Sequence, residues 1–343
     1  MPAALLALLA LGLQAGPQPS DGSCDLAHSS SLLVSARSAL QGHRYDQAAQ
    51  QLREAFTACP QQHAILLELS DAHTRRRDFA QAIRAAQEFL HLEPNSVSGT
   101  LVLGNAYFMT GRFAEARRQA ERVMELEPGQ PTALKLKGNI EYVTGDSLHA
   151  KDTFMGLLDK HPDDAEGAYM LGRIYYQEGQ VDYAMGQFQR ALKLDPQSYK
   201  AYDNLGLCYE ARGETDMAIR NFLTAIKLVD KEHPDYDWVY ANLAHLLLDT
   251  GDAKQAFAAA SKAADRNPNS ARNFYIGGKA LCKLGKMDLC VNWLQRSASL
   301  DPNFPDPLYL LAKAYSQLDQ QEKAKETFEK FRQAKAKELN GRK

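Results

Sequence analysis

Residues 164–194 read DAEGAYMLGRIYYQEGQVDYAMGQFQRALKL, and residues 195–228 read DPQSYKAYDNLGLCYEARGETDMAIRNFLTAIKL. The two lines are one pattern written twice. The first copy carries Ala168, Leu171-Gly172, Tyr175, Gly179, Ala184, Phe188, Ala191-Leu192 and Pro196. The second carries Tyr202, Leu205-Gly206, Tyr209, Gly213, Ala218, Phe222 and Ala225-Ile226, offset by 34 residues. Leu171, Gly172 and Tyr175 share one stripe of a helix. A glycine there lets a second helix approach, and Ala184 is small for the same reason. Gly179 ends the first helix because glycine accepts the left-handed backbone a turn needs. Phe188 and Ala191-Leu192 form the core stripe of the second helix, and Pro196 prevents that helix from continuing. Truncating Phe188 to alanine is expected to cost about 3–5 kcal/mol if it is fully buried.

Two short helices cannot bury these faces alone, but stacked copies can. Outward from the central pair, the pattern recurs along the chain. A degenerate first repeat (29–62) keeps Ala36, Tyr45, Ala48, Ala55 and Pro60, with Ala39 where a large aromatic is expected. Repeats at 63–96, 97–130 and 131–164 follow, then the pair at 165–198 and 199–236. The register slips by four residues between Leu228 and Asp237, which predicts a longer second helix and loop. A tolerated extension and a change of pitch separating two binding segments are both open readings of that slip. Repeats at 237–270, 271–304 and 305–338 complete the array, the last with Leu308, Leu311-Ala312, Tyr315, Ala324 and Phe328 as its core. The second helix of that last repeat continues into a Lys/Glu-rich end, Lys330 to Lys343, which reads as a solvated cap or as a basic arm, with residues 339–343 as the polar C-terminal tail.

The 34-residue period and its small and aromatic positions resemble the tetratricopeptide repeat (TPR) family along most of the chain. The resemblance implies an all-α fold: a right-handed α-solenoid, or superhelix, of about nine helix-turn-helix repeats. It also implies a concave groove lined by the first helix of each repeat. Carried onto this chain, the groove positions are Asn105, Phe108, Lys135, Asn139, Tyr142, Tyr169, Arg173, Tyr176, Lys200 and Asn204. Asp71, Leu101, Asp203 and Leu207 lie in the same columns. A second, more basic segment comprises Trp238, Arg272, Tyr275, Lys279, Tyr309 and Lys313, and would favour an acidic ligand. Asparagine can hydrogen-bond an extended backbone as donor and acceptor, and tyrosine joins apolar area to a polar tip. TPR adaptors that clamp a C-terminal carboxylate use a five-residue set. Lys135, Asn139 and Lys200 match it, while Met170 and Asn204 depart from it at the middle asparagine and the arginine.

The implied function is a non-catalytic scaffold that binds an extended peptide or protein segment, of unspecified identity. A structural, self-associating exported protein acting in envelope assembly is the alternative. No nucleophile elbow, P-loop or dinucleotide fingerprint is present, so neither an enzyme nor a small-molecule cofactor is expected. The formal net charge of −2, with both signs interleaved, gives no reason to expect nucleic acid. Ala3 to Leu13 is an apolar run too short to span a bilayer. Residues 1–28 read as a signal peptide and leader, although no Lys or Arg precedes the run. Lipidation at Cys24 and an interfacial or disordered tail are the alternatives. The expected location is therefore periplasmic or secreted. None of the five cysteines forms a CxxC pair, and the nine histidines show no ligand spacing, so no metal is expected. Cys24 precedes the first helix and Cys59 follows the second, at the same end of an antiparallel pair, which predicts a Cys24–Cys59 disulfide. Cys282–Cys290, across repeat eight, is a weaker candidate, and Cys208 reads as buried and inert.

Overall fold

The computed structural model describes residues 24–341, so the apolar run and the rest of the expected leader up to residue 23 lie outside the described residues, as do residues 342 and 343. The described residues form eighteen α-helices in nine antiparallel pairs. The first helices are α1 (Leu26–Gln41), α3 (Ile65–Arg75), α5 (Val97–Met109), α7 (Pro131–Val143), α9 (Ala165–Gln177), α11 (Tyr199–Ala211), α13 (Trp238–Asp249), α15 (Ala271–Lys283) and α17 (Pro305–Gln317). Their partners are α2 (Tyr45–Ala58), α4 (Phe79–Leu92), α6 (Phe113–Leu126), α8 (Ser147–Lys160), α10 (Val181–Leu194), α12 (Thr215–Glu232), α14 (Ala253–Arg266), α16 (Met287–Leu300) and α18 (Gln321–Gly341). The chain divides into two compact units, one ending at Ile140 and one beginning at Glu141.

Local chemistry sets the helix ends. Asp78, Ser96, Asp146, Asp164, Asp252 and Ser270 each accept a hydrogen bond from the backbone N–H three residues on, satisfying an otherwise orphaned donor. The turn inside each pair needs a positive φ. Glycine supplies it at Gly111, Gly145, Gly179, Gly213, Gly251 and Gly285. His43, Arg77 and Asp319 hold the same turn position in the first two pairs and the last, with φ of 57°, 63° and 58°.

In the first unit, one core joins α1 to α4 through Ala36, Ala48, Leu52, Leu66, Leu69 and Phe89. A second joins α4 to α7 through Ala86, Leu103, Tyr107, Ala120 and Ile140. Cys24 and Cys59 are joined by a disulfide with Cα atoms 4.2 Å apart. Beside it the Ser29 hydroxyl donates to the Ala55 carbonyl.

In the second unit, Phe154, Phe188 and Phe222 are fully buried at equivalent places on α8, α10 and α12. A β-carbon on Gly172 would stand 2.7 Å from the Phe188 ring, and one on Gly206 would stand 2.5 Å from the Phe222 ring. Those glycines are what lets the aromatic ring of the second helix seat on the first. The equivalent Phe328 on α18 is 42 % exposed, against the expectation that it belongs to the core. No described helix follows to cover it, so it meets Phe331 instead, ring centroids 5.5 Å apart. Cys282 and Cys290 are bonded across α15 and α16 with Cα atoms 5.2 Å apart. Cys208 is free and buried, and burial pushes its thiol up to about 12.

The register slip resolves into one long helix and a folded loop. α12 has 18 residues where α10 and α14 have 14. The loop after it packs on α11, with the Tyr199 ring 4.4 Å from the His233 ring and 4.8 Å from the Tyr236 ring.

Candidate functional site

The expected groove residues fall in both units. In the first, Asn105 is exposed on α5, and Lys135 and Asn139 are half-buried on α7. Phe108 is half-buried against Phe113, with centroids 5.7 Å apart.

In the second unit, successive first helices bring five of the expected residues into one linked set. The Arg173 guanidinium, on α9, lies 4.8 Å from the Tyr142 ring centroid and 5.9 Å from that of Tyr169. One of its N–H groups donates to the Tyr142 hydroxyl at 3.2 Å. The Asn204 amide, on α11, donates to the Tyr169 hydroxyl at 3.4 Å and to the Lys200 carbonyl at 2.8 Å. Lys200 is exposed, its ammonium 5.8 Å from the Tyr199 ring. Tyr169 packs on Phe188, and burial pushes its phenol up to about 12. Tyr176 is half-buried against the α9–α11 core, so less of its ring is open to a ligand than the family position implies. Met170, at the clamp's missing asparagine, is a buried apolar side chain whose sulfur lies 3.9 Å from Arg173.

Asp203 departs from its expected place on the groove surface. It is 2 % exposed. One carboxylate oxygen accepts from the Tyr236 hydroxyl at 2.7 Å and the other from the Asn242 amide at 2.9 Å. The Asn242 oxygen in turn accepts from Arg272 at 2.8 Å. Burial raises the Asp203 pKa, against the hydrogen bonds from Asn242 and Tyr236. This network crosses α11, the inserted loop, α13 and α15. Its members lie 33 and 39 residues from Asp203, outside the 34-residue step, which is why the repeat pattern does not reveal them.

The second expected segment is divided. Trp238 is 56 % exposed, with the Arg272 guanidinium 5.1 Å from its ring. Tyr309 is 44 % exposed, 5.5 Å from the Lys313 ammonium and 5.3 Å from the Phe331 ring. Tyr275 packs against Phe304 with centroids 5.3 Å apart, so it bridges α15 and the start of α17. Lys279 is half-buried near His245. The imidazole of His245 lies 3.4 Å from a Glu210 oxygen and 3.5 Å from an Asp249 oxygen. The bond to Glu210, with Asp249 nearby, raises the His245 pKa against desolvation.

Family models described as tetratricopeptide repeat match residues 33–165, in three overlapping copies, and residues 198–268 and 293–326, and one described as TPR repeat matches 172–213. Together they cover more than half the chain, which belongs to the tetratricopeptide repeat family. That family is generally non-catalytic and typically supplies protein-interaction scaffolds. Among solved structures, a chain of the APC/C hetero-tetramer Cut9–Hcn1 superposes with a TM-score of 0.67 at 17% identity, covering 84% of this chain and 57% of that one. This protein thus spans little more than half the length of that relative. A tetratricopeptide repeat protein from Parabacteroides merdae ATCC 43184 superposes with a TM-score of 0.56 at 19% identity, over 74% of this chain and 99% of its own. Both likenesses establish the fold. No curated protein matches the sequence.

Proposed function

We propose that the chain is a scaffold that holds an extended segment of a partner protein along the first-helix face of its second unit. The observation that carries this is the linked set Tyr142–Arg173–Tyr169–Asn204, which spans three successive first helices. Rings and amides already fixed by one another lose little conformational freedom when a ligand arrives. Tyrosine and arginine are also the side chains that most often carry binding energy at interfaces. The partner here is a protein segment of unspecified sequence. We propose further that the chain works outside the reducing cytosol, which its two disulfides favour. Among the described residues no helix is long and apolar enough to cross a membrane.

A photo-crosslinking residue placed at Asn204 tests the site, with one at the exposed Tyr183 of α10 as control. Adducts at Asn204 that fade when Tyr142 is changed to alanine, with none at Tyr183, are the expected result. Adducts confined to Tyr183, or only between copies of this chain, reject the site. Intact mass of the exported protein, with and without reductant, checks leader removal and both disulfides.

A further inference from the structure

Arginines elsewhere in the described chain are commonly matched to acids. Arg37 pairs with Glu68, Arg53 with Glu88, Arg76 with Asp46 and Asp78, Arg212 with Asp182 and Glu214, and Arg266 with Asp230. Arg173 has no carboxylate within ion-pair distance among the described residues. Its contacts are a phenol oxygen, a thioether and two aromatic faces, all weak acceptors for a guanidinium. Acids on α11 and at the C-terminal end of α9 are already engaged. Both Asp203 oxygens accept hydrogen bonds, Glu178 pairs with Lys151, and Glu210 holds His245. Lys200, one turn from Asn204, is exposed and likewise lacks an acidic partner among the described residues.

We infer that Arg173, cradled by Tyr142 and Tyr169 and flanked by Lys200, takes a side-chain carboxylate of an extended acidic segment. This rests on the scaffold reading above and adds the chemistry of the partner. Charge complementarity selects that occupant. The rings hold the planar fork in place, so a two-toothed carboxylate contact needs little reordering. Lys200 supplies a second positive charge, and the Asn204 amide, its NH2 group held by Tyr169 and the Lys200 carbonyl, keeps its oxygen to accept from a backbone N–H of the ligand. Met170 replaces the asparagine that a terminal-carboxylate clamp uses, so the acid recognised here is on a side chain inside the segment rather than at its end.

The test uses the full chain and a labelled peptide of alternating Glu and Ser, both ends blocked, about 12 residues and thus roughly 40 Å when extended. Its Gln-for-Glu twin removes the charge alone. Fluorescence anisotropy should show the Glu peptide binding about tenfold tighter than the twin, a difference of about 1.4 kcal/mol. The gap should shrink between about 0.05 and 0.3 M salt. Arg173→Gln with Lys200→Gln should erase the preference while the melting temperature holds, and Arg173→Lys should restore part of it. Equal binding of both peptides, weakened alike by Tyr142→Ala, overturns the acidic preference and leaves the scaffold reading standing. Glu-peptide binding untouched by the double substitution overturns it as well. So does binding of neither peptide, or binding only when the peptide's terminal carboxylate is unblocked, by a chain that still crosslinks at Asn204.

Discussion

At the scale of single residues, two glycines of one helix pair have opposite duties. Gly172 touches Phe188 across the helix pair, and any β-carbon there lands inside van der Waals contact of a fully buried ring. Gly172→Ala should therefore destabilise the protein by about 1–3 kcal/mol through overpacking. Gly186 sits mid-helix in α10, where an added β-carbon would meet nothing within 4 Å. Gly186→Ala should stabilise by about 0.5–1 kcal/mol by removing a flexible residue from a helix interior. Urea unfolding of the two variants checks both signs. The turn position gives the converse case. Arg77 is exposed and holds φ at 63°, where a side chain crowds its own backbone. Arg77→Gly should raise stability by up to about 1 kcal/mol, the left-handed penalty less the added freedom of the unfolded glycine. The glycine column at 34-residue spacing is plain in the central repeats, while its replacements at His43, Arg77 and Asp319 hide the same turn in the outer ones.

At the scale of elements, the helix pairs were readable because their packing rules are local. A small residue on one helix and a large one on the next, about half a repeat away, declare the contact. The inserted stretch was not readable in the same way. By spacing alone it is an extension that a loop tolerates, yet it delivers Tyr236 to a buried carboxylate two helices back. Asp203 stands in a column expected to face outward, and only partners contributed by the loop and by α13 make its burial tenable. This has a consequence in pH. Burial raises the folded-state pKa of Asp203 above the unfolded value of about 3.9. Its contribution to stability is then fully present below the unfolded pKa and is lost as pH rises through the folded one. In that window the folded chain keeps a proton that the unfolded chain releases. Wild type minus Asp203→Asn stability, measured by denaturant titration at a series of pH values, should therefore fall from acid toward neutral pH. A difference that climbs over that range would mean that the two hydrogen bonds and Arg272 outweigh burial.

At the scale of the whole molecule, the candidate binding residues were legible as positions and much less so as a surface. The family columns placed Tyr142, Tyr169, Arg173 and Asn204 on adjoining helices, and the side chains do meet there. The same reading made Tyr176 a groove residue, put Tyr275 in the second segment and set Asp203 in a groove column, although packing takes up much of the first two and all of the third. Periodicity reports which face of a helix a residue is on; it does not report how far the next pair leans over that face. The leaning itself is a nearest-neighbour affair, because the cores of the second unit run from one pair to the next. Repeat arrays of this kind distribute stability as a sum of local terms. Phe222 is fully buried where α12 meets α11, so Phe222→Ala should cost about 3–5 kcal/mol. The loss should be felt where the ring sits. Amide hydrogen exchange should accelerate in α11 to α14, while α17 and α18, two pairs further along the same unit, keep their wild-type protection. Uniform acceleration across the unit would instead mark it as one cooperative block, and a ligand gripping α9 and α11 would then stiffen α17 as well.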